Sequence, residues 1–418
     1  MSSPAANPTP PGAGRAHRQL AIFGELLRSI LHAARHESAF PSFLQQRLGR
    51  DRRFGSRDRR LYRALAYSAV RHLVWLEKTP AEDRPLVALW LAGDEPVITG
   101  LRELLLADWP QLPPSLAERA TLLSARYDKG FSADSLFPEW LSAEAPTLTG
   151  AERDVLLTRP PLWLRMQGAA AQHVDDWLRS EGIPVRSTAD LPDARAILAE
   201  TDLSHSPLHE SGAFEIQDLG SQLILHLAAP IPGTRWLDAC AGAGGKTLQL
   251  AQLLGPTGHV DATDIRPAAL AELRQRATRA GLANIATLDQ PPAPETRYDG
   301  VLVDAPCSGS GTWRRHPHLR WQTSTADLRR HHQRQTEILF DQADYVRPGG
   351  RLVYATCSLA RTENEDTVSA FLAAHPQFRV VAPARTFACP ANELGTTIPP
   401  HVHDSDGFFV SVLERSPE

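Results

Sequence analysis

The sequence predicts an α/β protein built around a mostly parallel sheet, preceded by an all-helical domain and a small α/β linker module. Three observations predict it. After Phe214, short apolar runs recur, each followed by a glycine- or Asp-bearing loop and a helical pattern. Alternation of that kind implies parallel strands covered by helices on both faces. Before residue 149 the apolar residues instead recur at steps of three and four with few turn signals, as in helices. Between the two, Pro160-Pro161 stops the helical pattern and opens a stretch that mixes both periods.

The chain has 418 residues, 42% of them hydrophobic, enough to bury more than one core. It holds no apolar run long enough for a membrane span. Residues 1–14 are rich in Pro, Ala and Ser, without the charged start and apolar centre of a secretory signal, and read as a disordered lead-in. Four scattered cysteines, Cys240, Cys307, Cys357 and Cys389, have neither Cys-x-x-Cys nor metal-ligand spacing. They fit a reducing cytoplasm and a protein without a metal, in which a thiol is free to be catalytic.

The helical domain is expected over residues 15–148, with helices through Leu20–Leu31 and Leu61–Leu73 and either Ser56 or Asp58 capping the second. Net charge is −4, yet eight arginines (47, 50, 52, 53, 57, 59, 60 and 63) face only Asp51 and Asp58 across this region. Such a stripe suits phosphate contact, and Arg52, Arg53, Arg59 and Arg60 are its candidates; a solvated helix face is the alternative. The linker module is expected over 149–212, with a strand at Pro160–Met166, a helix at Ala170–Glu181 and a strand at Ile183–Arg186. Residues 213–418 should form the sheet domain, with strands Arg235–Ala239, His259–Thr263, Ile285–Leu288, Gly300–Val303, Arg351–Ala355 and Phe408–Leu413.

Ligands on such sheets sit at the carboxyl ends of the strands, so the loops there carry the argument. The first is Asp238-Ala-Cys-Ala-Gly-Ala-Gly-Gly-Lys-Thr247. It is not a P-loop, because the position five before Gly245 is Cys240, and not a dinucleotide fingerprint, because position 247 is Thr. From Cys240 and Ala241 through Gly242, Ala243, Gly244 and Gly245 to Lys246, it lets backbone approach a ligand and leaves N–H groups at a helix start. Asp264 closes the second strand about twenty residues on, where a carboxylate meets ribose hydroxyls; Asp289 closes the third. Their coincidence favours a nucleoside cofactor. Finally, Asp304-Ala-Pro-Cys307 and Thr356-Cys357-Ser358 end two further strands. One buried cysteine is commonly a small hydrophobe; two at one edge beside Asp304 argue for thiol chemistry.

Asp304-Ala-Pro-Cys-Ser-Gly-Ser-Gly-Thr-Trp-Arg-Arg-His-Pro317, Tyr354-Ala-Thr-Cys-Ser358 and Glu363-Asn-Glu365 resemble the Nop/Sun family of RNA cytosine-C5 methyltransferases. The glycine loop, Phe214–Gln222 and Asp406-Gly-Phe-Phe409 agree with that resemblance. The N-terminal helices with Gly55-Ser-Arg-Asp-Arg-Arg60 resemble the NusB-like RNA-binding domain of its bacterial ribosomal branch, the RsmB (Sun, Fmu) type. The resemblance implies a Rossmann-like class I methyltransferase domain and S-adenosylmethionine as cofactor. It also implies a monomer acting on small-subunit ribosomal RNA. Cys357 would attack carbon 6 of the base, Cys307 would help release the product and Asp304 would hold the ring. Gly242, Gly244, Gly245 and Lys246 would take the methionine part of the cofactor, Asp264 the ribose and Asp289 the adenine; Arg314 and Arg315 would hold phosphates. Two positions depart from the pattern. Ala243 replaces a usual proline, which should loosen the cofactor loop, and Gln167 replaces the usual Asn after Arg165. The rivals are a DNA cytosine methyltransferase using Cys307 and a catalytically idle RNA-binding assembly factor. The first leaves Thr356-Cys357-Ser358 unexplained, and the intact cysteines and glycine loop count against the second.

Overall fold

A computed structural model describes residues 12–93, 96–199 and 201–417. The first eleven residues of the expected tail lie outside them. A helix already runs from Ala13 to His36, so Ala13 and Gly14 belong to helix and not to the tail. The chain forms two compact units: residues 1–141, 148–159 and 316–323 make one, and residues 142–147, 160–315 and 324–418 make the other.

The first unit is helical throughout its described residues. Ala13–His36, Phe40–Arg50, Ser56–Arg71 and Leu116–Tyr127 are its long helices. Phe23, Ile30, Leu65, Ala69, Trp75 and Val87 are fully buried among them, as their three- and four-residue spacing requires. The helix from Ser56 is capped by Gly55, not by Ser56 or Asp58. Asp58 lies inside its first turn and accepts from the Gly55 N–H at 3.4 Å. Residues 316–323 join this unit from far along the chain: Trp321 Nε1 donates to the Val70 carbonyl at 2.7 Å, and Gln322 Nε2 to the Ala34 carbonyl at 2.9 Å.

The second unit begins with a four-stranded antiparallel sheet: β1 (Leu162–Met166), β2 (Val185–Ser187), β3 (Ala194–Ile197) and β4 (Phe214–Ile216), in the order β2-β3-β1-β4. The expected break after residue 212 therefore falls just before a strand of this sheet, and the module shares a compact unit with the rest. The large sheet comprises β5 (Arg235–Asp238), β6 (His259–Ala262), β7 (Ile285–Thr287), β8 (Tyr298–Asp304), β9 (Val346–Thr356), β10 (Phe378–Val380), β11 (Ala391–Asn392), β12 (Gly395–Ile398) and β13 (Phe408–Arg415). The order is β11-β12-β13-β9-β8-β5-β6-β7, with β10 on β13. Strands β5 to β9 pair in parallel, whereas β10 to β13 pair antiparallel, so the sheet is mixed. Apolar runs report burial, not strand direction, which is why the sequence reads as mostly parallel.

Helices Leu219–Ala228 and Gly245–Leu254 bury Leu223, Leu250 and Leu254 on one face of the sheet. Helices Thr325–Ala343 and Glu365–Ala374 bury Leu339 and Phe371 on the other. Strand order reverses about β5, since β6 follows on one side and β8 on the other. The carboxyl ends of β5 and β8 therefore flank the crevice where such sheets bind ligands. No helix among the described residues is long and apolar enough to cross a membrane.

Candidate active site

The loop after β5 turns into the helix Gly245–Leu254 through two glycines in left-handed conformation, Gly242 (φ 54°) and Gly244 (φ 91°). A Cβ on Gly244 would lie 2.1 Å from a Leu273 methyl, so both backbone and packing demand glycine there. The loop is held from both ends. Asp238 is buried and accepts from Thr247 Oγ1 at 2.7 Å and from the Cys240 N–H at 3.3 Å. Burial pushes its carboxyl up to about 7. Asp264 accepts from the Gly242 N–H at 2.8 Å and takes both arms of Arg266. Burial works against that charge, but the bonds from Arg266 and Gly242 hold the carboxyl below its ordinary range. Ile265 beside it is 89% exposed, an apolar surface at the loop's mouth.

Lys246, in the first turn of that helix, turns its ammonium onto Asp304 at the end of β8, 2.8 Å away and 5.4 Å from the centre of the Phe408 ring. Burial lowers the lysine, yet Asp304 raises it further, and the net shift is upward. The pair links the glycine loop to the cysteine edge.

Cys307 and Cys357 meet there, with their sulfurs 3.2 Å apart and both thiols free. They follow β8 and β9, which run parallel and adjacent. The hydrogen bond to Cys357 and burial hold the Cys307 thiol well above its ordinary range, so Cys307 keeps its proton. Cys240 is no rival nucleophile: burial, then the nearby carboxylates, push it up to about 12. The two loops are laced together. Gly311 N–H donates to the Cys357 carbonyl at 2.9 Å and Gly407 N–H to the Gly311 carbonyl at 2.8 Å. A Cβ on Gly311 would lie 2.0 Å from the Gly407 oxygen, so only glycine allows that approach. Ser308 and Ser358, each next to a cysteine, both donate to the buried carboxylate of Glu363.

The family description "16S rRNA methyltransferase RsmB/F" matches residues 225–414. Ribosomal RNA small subunit methyltransferase B of Yersinia pestis bv. Antiqua (strain Angola) is 32% identical over 335 residues, 76% of this chain and 73% of that protein. The chain belongs to the RsmB/F family of RNA methyltransferases. Among solved structures, PH0851 covers 94% of this chain and 99% of its own at a TM-score of 0.70 and 23% identity. NSun6 from Pyrococcus horikoshii, solved with SFG, an analogue of S-adenosylmethionine, covers 68% of this chain and 99% of its own at a TM-score of 0.59 and 19% identity. These likenesses establish the Rossmann-like methyltransferase fold.

S-adenosylmethionine is the cofactor of this RsmB/F methyltransferase. The residues present fit it: left-handed glycines bring backbone to the crevice, Asp264 stands at the mouth, and Ile265 offers an uncovered apolar face for a flat ring. Of the residues marked from sequence, Cys240 to Lys246, Asp264, Asp304, Cys307 and Cys357 come together around this edge. Asp289 follows β7, next to β6, and is 80% exposed and paired with Arg274 at 2.8 Å. Arg314 and Arg315 require correction as phosphate contacts. Arg314 is 2% exposed and bound to Asp404 at 2.7 Å and to the Ser405 carbonyl at 3.0 Å. Arg315 bridges Asp406 at 2.8 Å and Asp218 at 2.7 Å.

Lys246, expected at the methionine part of the cofactor, donates to Asp304. The stripe is likewise uneven. Arg52 and Arg60 are exposed, Arg53 is taken by Asp51 at 2.8 Å, and Arg59 is half-buried with its Nε covered. Sequence reasoning missed Ile265, Phe408 as the ring under Lys246, and any role for Glu363. It missed Arg276 as well, whose Nη1 donates to the Ala243 carbonyl at 2.7 Å while Nη2 reaches Glu215 at 2.8 Å. A charged residue on the helix after β6 was the available signal for Arg276, but nothing in it named Ala243.

Proposed function

We propose that this protein methylates carbon 5 of a cytosine in small-subunit ribosomal RNA, with Cys357 as the attacking thiolate. The observation that carries the reading is the pair of sulfurs 3.2 Å apart at the ends of adjacent parallel strands, beside the Asp304–Lys246 ion pair. Carbon 5 is a weak nucleophile in the electron-poor ring. Addition of the Cys357 thiolate to carbon 6 makes carbon 5 enamine-like. S-adenosylmethionine supplies the methyl group as a sulfonium. Gly242, Gly244, Gly245 and Lys246 would line its methionine part, Asp264 would accept from the ribose, and Asp289 would meet the adenine, with Ile265 as an apolar cover. Asp304, oriented by Lys246, would hold the ring through N3 or the exocyclic amine as charge builds there. Cys307, which keeps its proton beside Cys357, is placed to serve the second half of the reaction. There carbon 5 gives its proton to solvent water, the C–H electron pair re-forms the carbon 5–carbon 6 double bond, the sulfur–carbon 6 bond breaks and the Cys357 thiolate is restored. The base must be unpaired or flipped out to reach this edge. The helical unit, read as a NusB-like domain, would grip the RNA.

The test uses RNA in which the target cytosine has been located by bisulfite mapping of cells with and without the protein. Cys357→Ala should abolish both methylation and the covalent protein–RNA adduct. Cys307→Ala should form the adduct and fail to resolve it. If alanine at 307 prevents the adduct while alanine at 357 permits it, the assignment of the two thiols is wrong.

A further inference from the structure

We propose that Glu363 is a positioning residue that fixes the separation of the two thiols. The inference deepens the cytosine reading above and rests on it. Glu363 is fully buried, and the four donors around its carboxylate are uncharged groups. Oε1 accepts from the Ser308 N–H at 2.8 Å and from Gln335 Nε2 at 3.1 Å. Oε2 accepts from Ser308 Oγ and Ser358 Oγ, both at 2.5 Å. Ser308 follows Cys307 and Ser358 follows Cys357, so both cysteine loops hang from one oxygen atom.

The anchor is itself fixed. Tyr354 OH donates to the Glu363 carbonyl at 2.6 Å, and Asn364 Nδ2 donates to the Ser358 carbonyl at 3.0 Å. Gln335 Nε2 also reaches the Pro306 carbonyl at 3.0 Å, so the residue before Cys307 is tied to the same group. Burying a carboxylate is costly unless its acceptors are filled, and charge-assisted bonds of this length are the strong, directional kind. Apolar packing could hold two loops together, but it would not set their register to a fraction of an ångström. A two-thiol reaction needs that register, because one sulfur must leave carbon 6 while the other stays within reach of the same base.

Glutamine at 363 keeps the size but offers one acceptor oxygen where the carboxylate offers two, and turns N–H groups toward donors. Glu363→Gln should lower kcat about 100-fold, the scale of an ångström-sized misplacement of reacting groups, with KM for RNA and affinity for S-adenosylmethionine unchanged. Ser358→Ala, which cuts one arm only, should move the same way by less.

A second readout needs no RNA. In a glutathione redox buffer, one oxidised glutathione takes the two thiols to a disulfide and leaves as two reduced glutathiones. The ratio at which the Cys307–Cys357 peptide pair is half oxidised, read by mass spectrometry, measures how closely the sulfurs are held. Glu363→Gln should weaken that effective concentration by about tenfold or more, equivalent to one lost hydrogen bond to a charged group. A Glu363→Gln protein that binds cofactor normally, keeps wild-type kcat and oxidises at the wild-type ratio overturns the proposal. So does one whose KM for RNA rises while kcat holds. A wild-type protein that forms no 5-methylcytosine overturns the cytosine reading alone, because the glutathione equilibrium still judges Glu363.

Discussion

Asp264 shows what a single position carries at the residue scale. Its place after β6 was legible from the order strand, carboxylate, helix, but the partners that share it were not. One oxygen anchors the Gly242 N–H and both face Arg266, so the side chain holds the cofactor loop as well as awaiting a ribose. Asp264→Ala should therefore weaken S-adenosylmethionine binding by at least about 1.5–3 kcal/mol, the range for a hydrogen bond to a charged group. Arg266→Ala, which frees the carboxylate, should leave binding intact or tighten it. Titration calorimetry on both variants decides; equal loss in the two would mean that Arg266, not Asp264, faces the cofactor.

Asp238 gives a pH signature in the same loop. Its carboxyl rises from a usual 3.8 to about 7, chiefly through burial. A raised folded pKa means that stability from this group is complete below 3.8 and lost as pH climbs through 7. Relative to Asp238→Asn, the wild type should lose melting temperature between about pH 4 and pH 7 and level off above that. A constant offset across that window would show that the carboxyl titrates elsewhere. Arg314 and Arg315 mark the opposite limit of sequence reading. Adjacent arginines beside a catalytic motif look like phosphate donors, and only the fold brings Asp404, Asp406 and Asp218 onto them from across the chain.

At the scale of elements, the strands that carry chemistry were readable because each is an apolar run closed by a glycine, aspartate or cysteine. Strands β10, β11 and β12, of two to four residues, are too short for any period to register. They also supply the antiparallel edge that the sequence could not announce. The cofactor loop is subtler. Alanine at 243 in place of proline should leave the loop looser, yet the helix Pro267–Arg279 sends Arg276 to the Ala243 carbonyl and braces it on Glu215 of β4. The brace joins the small sheet to the loop through one guanidinium. Glu215 keeps Arg279 at 2.7 Å as a second partner, so removal of Arg276 does not strand a buried charge. Arg276→Ala should thus cost affinity for S-adenosylmethionine, about tenfold for one charged hydrogen bond. Folding should suffer less, and Arg276→Ala combined with Ala243→Pro should recover part of the loss. Calorimetry showing no recovery by proline would mean that the arginine acts through β4 and not through loop stiffness.

At the scale of the whole molecule, the net charge of −4 conceals a division of labour between the two units. The cysteines, the glycine loop and their carboxylates all lie in the second, while the arginine stripe lies in the first. The structure thins that stripe: Arg53 is paired with Asp51 and Arg59 is half-buried, while Arg50, Arg52, Arg57, Arg60 and Arg63 are exposed without that pairing. The last three recur at three-residue steps on one helix, so they stand on neighbouring turns, where a phosphate backbone can meet more than one.

If they grip RNA, each lost contact should flatten the slope of log affinity against log salt by about 0.7 to 0.9. The variant with glutamine at Arg52, Arg57, Arg60 and Arg63 should then bind a long ribosomal fragment more weakly at low salt and converge on the wild type as salt rises. Turnover at saturating RNA should stay close to wild type, because none of the four lies in the unit that holds the thiols. Glutamine at Arg53 and Arg59 should do little, since one has a fixed counter-ion and the other is half-buried. The comparison is a salt titration of RNA binding for the three proteins, each checked for folding by its melting curve. Parallel slopes for the wild type and the quadruple variant would leave the stripe as a solvated helix face. RNA recognition would then have to be sought on the second unit.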